Sequence, residues 1–129
     1  MSQKVLEFKG WQKVNKKKSF GILLNEILEE REIRPSAFYK KAWLDRRIYW
    51  NIMNLPGYQP SKETAVACVI SLELDEDQTE QLMNSAGYTL SMSITWDAVI
   101  LYCLSRKCYD LFQINELLNE VGEKGLCVR

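Results

Sequence analysis

The side chains best equipped for chemistry lie in one short stretch. Between residues 40 and 54 the chain carries Lys40, Lys41, Arg46, Arg47, Trp50, Asn51 and Asn54. Arginine offers paired N–H donors that fit guanine O6 and N7, and asparagine matches adenine N6 and N7. Lysine serves phosphate as a point charge. A helix over Arg46–Asn54 turns Arg46, Arg47, Trp50, Asn51 and Asn54 outward, with Lys40 and Lys41 close by. The chemistry on offer is recognition rather than bond-making. The chain has no histidine, so the commonest general base and the usual partner of a Ser or Cys nucleophile are absent. No isolated pair of acids stands out from the solvated Glu and Asp, and no enzyme is expected.

Four cysteines, Cys68, Cys103, Cys108 and Cys127, are scattered without a CxxC pair. Without histidine, a zinc site would need four dispersed thiols. Cys103 and Cys108 are five apart, a poor register for sharing one helical face. Buried small hydrophobes and spare thiols in a reducing compartment are the plainer reading, and neither metal nor cofactor is expected.

Charge narrows the partners. The net charge is zero over 129 residues, yet residues 1–60 hold 12 Lys/Arg against 6 Asp/Glu, and residues 61–129 hold 5 against 11. A basic half and an acidic half can steer a polyanion to the first, or one copy onto another head to tail. With 47% apolar and 26% charged residues the composition is that of a globular domain. No run approaches the roughly 18 apolar residues of a membrane span. The first residues do not lead into a secretion signal, and a cytoplasmic location is expected.

The elements that must position these residues read as helices. Residues 1–18 form an arm whose apolar anchors, Val5, Leu6, Phe8 and Trp11, precede Lys16-Lys17-Lys18; Val5–Val14 fits a short strand or an arm packed on the domain. Ser19 caps a first helix carrying Phe20, Leu23, Leu24, Ile27 and Leu28. Arg34-Pro35 opens a second, through Ala37, Phe38 and Ala42. Trp43-Leu44-Asp45 breaks it, and Asp45 caps the third, Arg46–Asn54, with Tyr49 and Ile52 inward and Ile48 beside them. Leu55–Pro60 is a loop. Ser61 caps a fourth helix closing near Leu74. Asp75 with Gln78 reads as a capping box for a fifth, stopped at Gly87. A sixth spans roughly Ser93–Lys107. Asp110 with Gln113 makes a second capping box for a seventh helix that ends before Gly122, leaving 123–129 as a frayed tail. The fold class is all-α.

Five short helices within residues 19–88, the second and third separated by three residues, resemble the Cro/repressor-like (lambda-repressor-like) helix-turn-helix superfamily. The likeness is most specific over residues 37–52, where Ala42, Leu44, Asp45, Tyr49 and Ile52 stand at the pattern's positions. Gln59-Pro60-Ser61, with Ala65 and Leu72, resembles the family's entry into helix four. Trp43 replaces the glycine often found in the turn, and the glutamine common at the start of helix two is absent. Further strings look like small uncharacterised bacterial helix-turn-helix proteins: residues 60–65, 85–91, 96–100 and 109–116.

The chain thus divides into an arm at 1–18 and, over the stretch of about 19–122 that the resemblance covers, a helix-turn-helix domain at 19–90 with a helical extension packed on it at 91–122. The resemblance does not settle an activity; the outward basic and amide side chains of the third helix, about Asp45 to Asn54, point to a DNA-binding regulator of transcription that reads duplex DNA in the major groove. Lys40 and Lys41 would hold backbone phosphates, and Lys16–Lys18 would add an arm into a groove. A second reading stays open: a repurposed helix-turn-helix that binds protein through Trp50, Met53 and Tyr58, since an exposed Trp with Met and Tyr suits a protein interface. Two apolar stripes on the last two helices (Ile94, Ala98, Leu101 and Tyr102; Leu111, Ile114, Leu117, Leu118 and Val121) either complete the core or form a homodimer interface.

Overall fold

The computed structural model describes residues 2–126. Eight helices and no strands occur among them: α1 Gln3–Asn15, α2 Phe20–Glu30, α3 Pro35–Lys41, α4 Arg46–Asn54, α5 Lys62–Ser71, α6 Glu76–Ser85, α7 Thr95–Ser105 and α8 Leu111–Glu120. The seven helices expected from the sequence are α2 to α8. None of the eight is long and apolar enough to cross a membrane.

α5 is the hub. Thr64 through Ser71 are all buried, as a helix apolar on every side must be, and its small residues let α6 and α8 pack against it. The two hydroxyls this buries have partners: the Ser61 Oγ donates to Thr64 Oγ1 at 3.0 Å and the Ser71 Oγ to the Cys68 carbonyl at 3.0 Å. α2 sets Phe20, Leu24 and Leu28 into the same core and contacts α4 and α6, while α7 pairs with α8.

Local rules account for the helix starts. Ser19, Asp45, Ser61, Asp75 and Asp110 each accept a backbone N–H from the first turn of the following helix, and Pro35 stands at the start of α3. Both capping boxes are only half made. Asp75 accepts from the Gln78 amide at 2.8 Å, but the Gln78 side chain accepts from Arg31, which caps the end of α2, at 3.3 Å. Gln113 likewise faces Cys108 at 3.6 Å.

The helix ends share one device. After α2, α3, α5, α6, α7 and α8 an amide reaches back five residues, as from Ile33 to Leu28 (2.9 Å), Leu44 to Tyr39 (2.8 Å) and Cys108 to Cys103 (2.9 Å). Each such bond spans a residue with positive φ: Glu32, Trp43, Glu73, Gly87, Lys107 and Gly122. This is the left-handed helix stop. Four of the six are not glycine, at about 1–2 kcal/mol each, which the residue after the stop offsets by entering the core, as Leu44 and Leu74 do.

Two expectations need correcting. Val5–Val14 is neither strand nor packed arm: it lies in α1, where no residue is buried. The tail is docked through Leu126, which is 5% exposed. Its amide donates to Asn115 Oδ1 at 2.7 Å, and the Lys124 carbonyl accepts from Trp96 Nε1 at 3.0 Å; the remaining tail residues, Cys127 among them, lie outside those described. Of the two apolar stripes, that of α8 sets Leu111, Ile114 and Leu118 into this chain's own core and leaves Val121 exposed, while in the other Ala98 and Leu101 are half-buried and Ile94 and Tyr102 exposed.

Candidate nucleic-acid interface

Two anchors hold α4. At its start, Asp45 Oδ1 accepts from the Arg47 amide at 2.6 Å, directly after the turn in which Ala42 and Leu44 are buried. Along its inner side Ile52 is 7% exposed, and the Tyr49 ring sits 6.1 Å from Phe38 and 5.5 Å from Tyr39 on α3. Burial pushes the Tyr49 phenol up from its ordinary pKa. Gly21 lets the helices come close: a Cβ there would lie 2.4 Å from the Ile52 carbonyl oxygen, so α2 and α4 meet backbone to backbone.

With the inner side locked, the outer arc is open. Arg46, Arg47 and Asn54 are exposed, and Trp50 is 54% exposed. Asn51 stands at the rim of this arc and is half-buried, as are Met53 and Tyr58. Asn54 commits one amide N–H to the Trp50 carbonyl at 2.9 Å. On α3, Lys40 and Lys41 are exposed, but Lys41 pairs with Glu73 at 3.6 Å. Six of the seven sequence-derived residues are therefore exposed, Asn51 is only partly accessible, and Lys41 shares its charge with an acid. Lys16–Lys18 follow α1 and are exposed; Lys18 pairs with Glu26 at 2.7 Å.

The sequence did not signal what lies behind the turn. Trp43 has φ +60, taking the backbone conformation a glycine would adopt freely. Its ring packs edge-on against Phe112 of α8 at 4.7 Å, tying the turn to the C-terminal helices. Asp97 was also missed. It is 1% exposed and its Oδ2 accepts from Lys62 Nζ at 2.8 Å and the Ser91 amide at 2.9 Å. Both partners are structural, fastening the first turn of α7 to α5. Cys103 and Cys108 are brought together by the helix stop between them, and burial, then Cys108 itself, raises the Cys103 thiol pKa. No group of three or more His, Cys, Asp or Glu able to hold a metal occurs among the described residues.

Compared with models of known protein families, with characterised proteins and with solved structures, the chain matches none.

Proposed function

We propose that this chain is a duplex-DNA-binding regulator, with α2 to α6 forming a Cro/repressor-like helix-turn-helix unit and α4 as the reading helix. The observation that carries it is the division of α4 into two sides. One is fixed by Ile52, Tyr49 and the Gly21 approach; the other presents Arg46, Arg47, Trp50 and Asn54 to solvent. A side chain reads a base edge only if its backbone is held while its tip is free. Arg46 and Arg47, at the start of α4, occupy the end that enters a major groove, and Lys40 supplies a backbone-phosphate contact.

The test is binding of a duplex library at low ionic strength. Arg46→Ala weakens sequence-preferring binding by about 1–3 kcal/mol, whereas Lys40→Ala weakens binding to all duplexes alike. Absence of salt-dependent duplex binding sinks the reading.

One observation favours a second reading, a protein-interaction module. Trp50 is a large aromatic 54% exposed at the centre of the arc, with Met53 and Tyr58 half-buried. A partner lost on Trp50→Ala, with duplex binding intact, would select this alternative.

A further inference from the structure

Among the described residues, α1 buries none of its own side chains. Thirteen residues form a marginal helix in water, and this one contains Gly10. Yet it exposes an oblique ridge at three-residue intervals: Val5 at 40%, Phe8 at 55%, Trp11 at 65% and Val14 at 83%. Its own side-chain bonds, Gln3 to Glu7 and Asn15 to the Trp11 carbonyl, stay within the helix. Its charge is lopsided: residues 2–18 carry six lysines and one glutamate.

The complementary surface lies on the acidic half. A groove of about 610 Å³ runs between α6 and α7, with Leu90, Leu101, Leu104 and Tyr109 half-buried along it. Its α6 rim carries the exposed carboxylates of Asp75, Glu76 and Glu80, against a single cation, Lys107, on the other side. An apolar floor with an acidic edge matches an apolar ridge flanked by lysines.

We infer that α1 docks in the α6–α7 groove of a second copy, and that two copies exchange their arms. Reciprocal exchange makes the contact two-fold and closed, so it yields a dimer rather than a growing chain. An aromatic residue buries about 150–250 Å², and Phe8 and Trp11 have 55% and 65% of theirs free to bury, so with a like area of groove, counted for two arms, they give on the order of 700–1,200 Å². The upper end reaches the lower bound of a standard stable interface, before Val5 and the lysine–carboxylate pairs are added. The inference does not depend on α4 touching DNA.

The experiment is sedimentation and light scattering of the full chain at 10–100 μM, with circular dichroism to check that each variant is folded. The wild type is a dimer. Trp11→Asp is a monomer, and the exposed pair Glu76→Lys with Glu80→Lys raises the dissociation constant at least tenfold. Adding Lys9→Glu and Lys13→Glu to that pair restores the dimer. A monomeric wild type, or a dimer indifferent to Trp11→Asp, overturns the inference. So does loss on Trp11→Asp combined with indifference to the charge reversals, because α1 would then be seated elsewhere.

Discussion

Gly21→Ala is the sharpest probe of how α4 is held. The added methyl would stand 2.4 Å from the Ile52 carbonyl oxygen, where ordinary contact begins at 3.4 Å. The obstacle is backbone, so the last turn of α4 must retreat by about 1 Å or α2 must tilt. Overpacking of this kind costs roughly 1–3 kcal/mol, and a clash this close to main chain belongs in the upper half of that range. Alanine in place of glycine within a helix returns about 1 kcal/mol. The expected net loss is about 1–2 kcal/mol, read as a fall in Tm of roughly 4–8 °C. Urea unfolding followed by circular dichroism should show a lower midpoint at unchanged slope. Gly10→Ala, with nothing within 4 Å of its Cβ, is the control and should not lower the midpoint. A Gly21→Ala protein as stable as wild type, or more so, would refute the α2–α4 approach and the docking of α4 built on it.

Other consequences follow from single contacts. At Trp43 (φ +60), Gly should be more stable than Ala by about 1 kcal/mol, reversing the helix-propensity order; equal stabilities would mean the turn is not left-handed. Asp97→Ala strands Lys62 Nζ and the Ser91 amide and should cost about 2–4 kcal/mol, below the full cost of breaking a buried pair because Lys62 is 27% exposed. Asp97→Asn, which keeps an acceptor for Ser91, should cost less, and thermal unfolding ranks the three proteins. Burial pushes the Glu63 carboxyl up, but its own backbone amide, Lys124 and Lys62 outweigh this and hold it below the usual carboxylate range. A lowered folded pKa stabilises above the unfolded value and is lost as pH falls through the folded one. Acid titration should therefore loosen the tail at low pH, seen as a Trp96 fluorescence change that Glu63→Gln removes.

What the sequence made legible was local. Ser19, Asp45, Ser61, Asp75 and Asp110 announced their helices because a cap needs only the next turn, and Pro35 did the same. Glutamines 78 and 113 misled because their far ends are claimed by Arg31 and Cys108, a choice made by tertiary contacts. Gly87 and Gly122 marked helix ends, while Glu32, Trp43, Glu73 and Lys107 take the same conformation unsignalled by residue type. The tail looked frayed because Leu126 finds its place only through Asn115 on α8, and α1 looked irregular because its apolar residues recur at three, not three and four. In the site, the outward stripe was readable from helical periodicity. The Lys41–Glu73 pair and the Trp43–Phe112 contact depend on elements distant in sequence.

Fluorescence anisotropy of a labelled random duplex against salt concentration bears most directly on the role of α4. Binding should be tight at low salt and fall linearly on a logarithmic scale, with a slope of about −0.9 for each phosphate neutralised. Lys40→Ala should make the slope shallower by about one, and doubly replacing Arg46 and Arg47 by Ala should abolish preference among sequences while circular dichroism stays unchanged. Binding that ignores salt, or that survives loss of both arginines with its preference intact, would contradict the assignment of α4 as the reading helix.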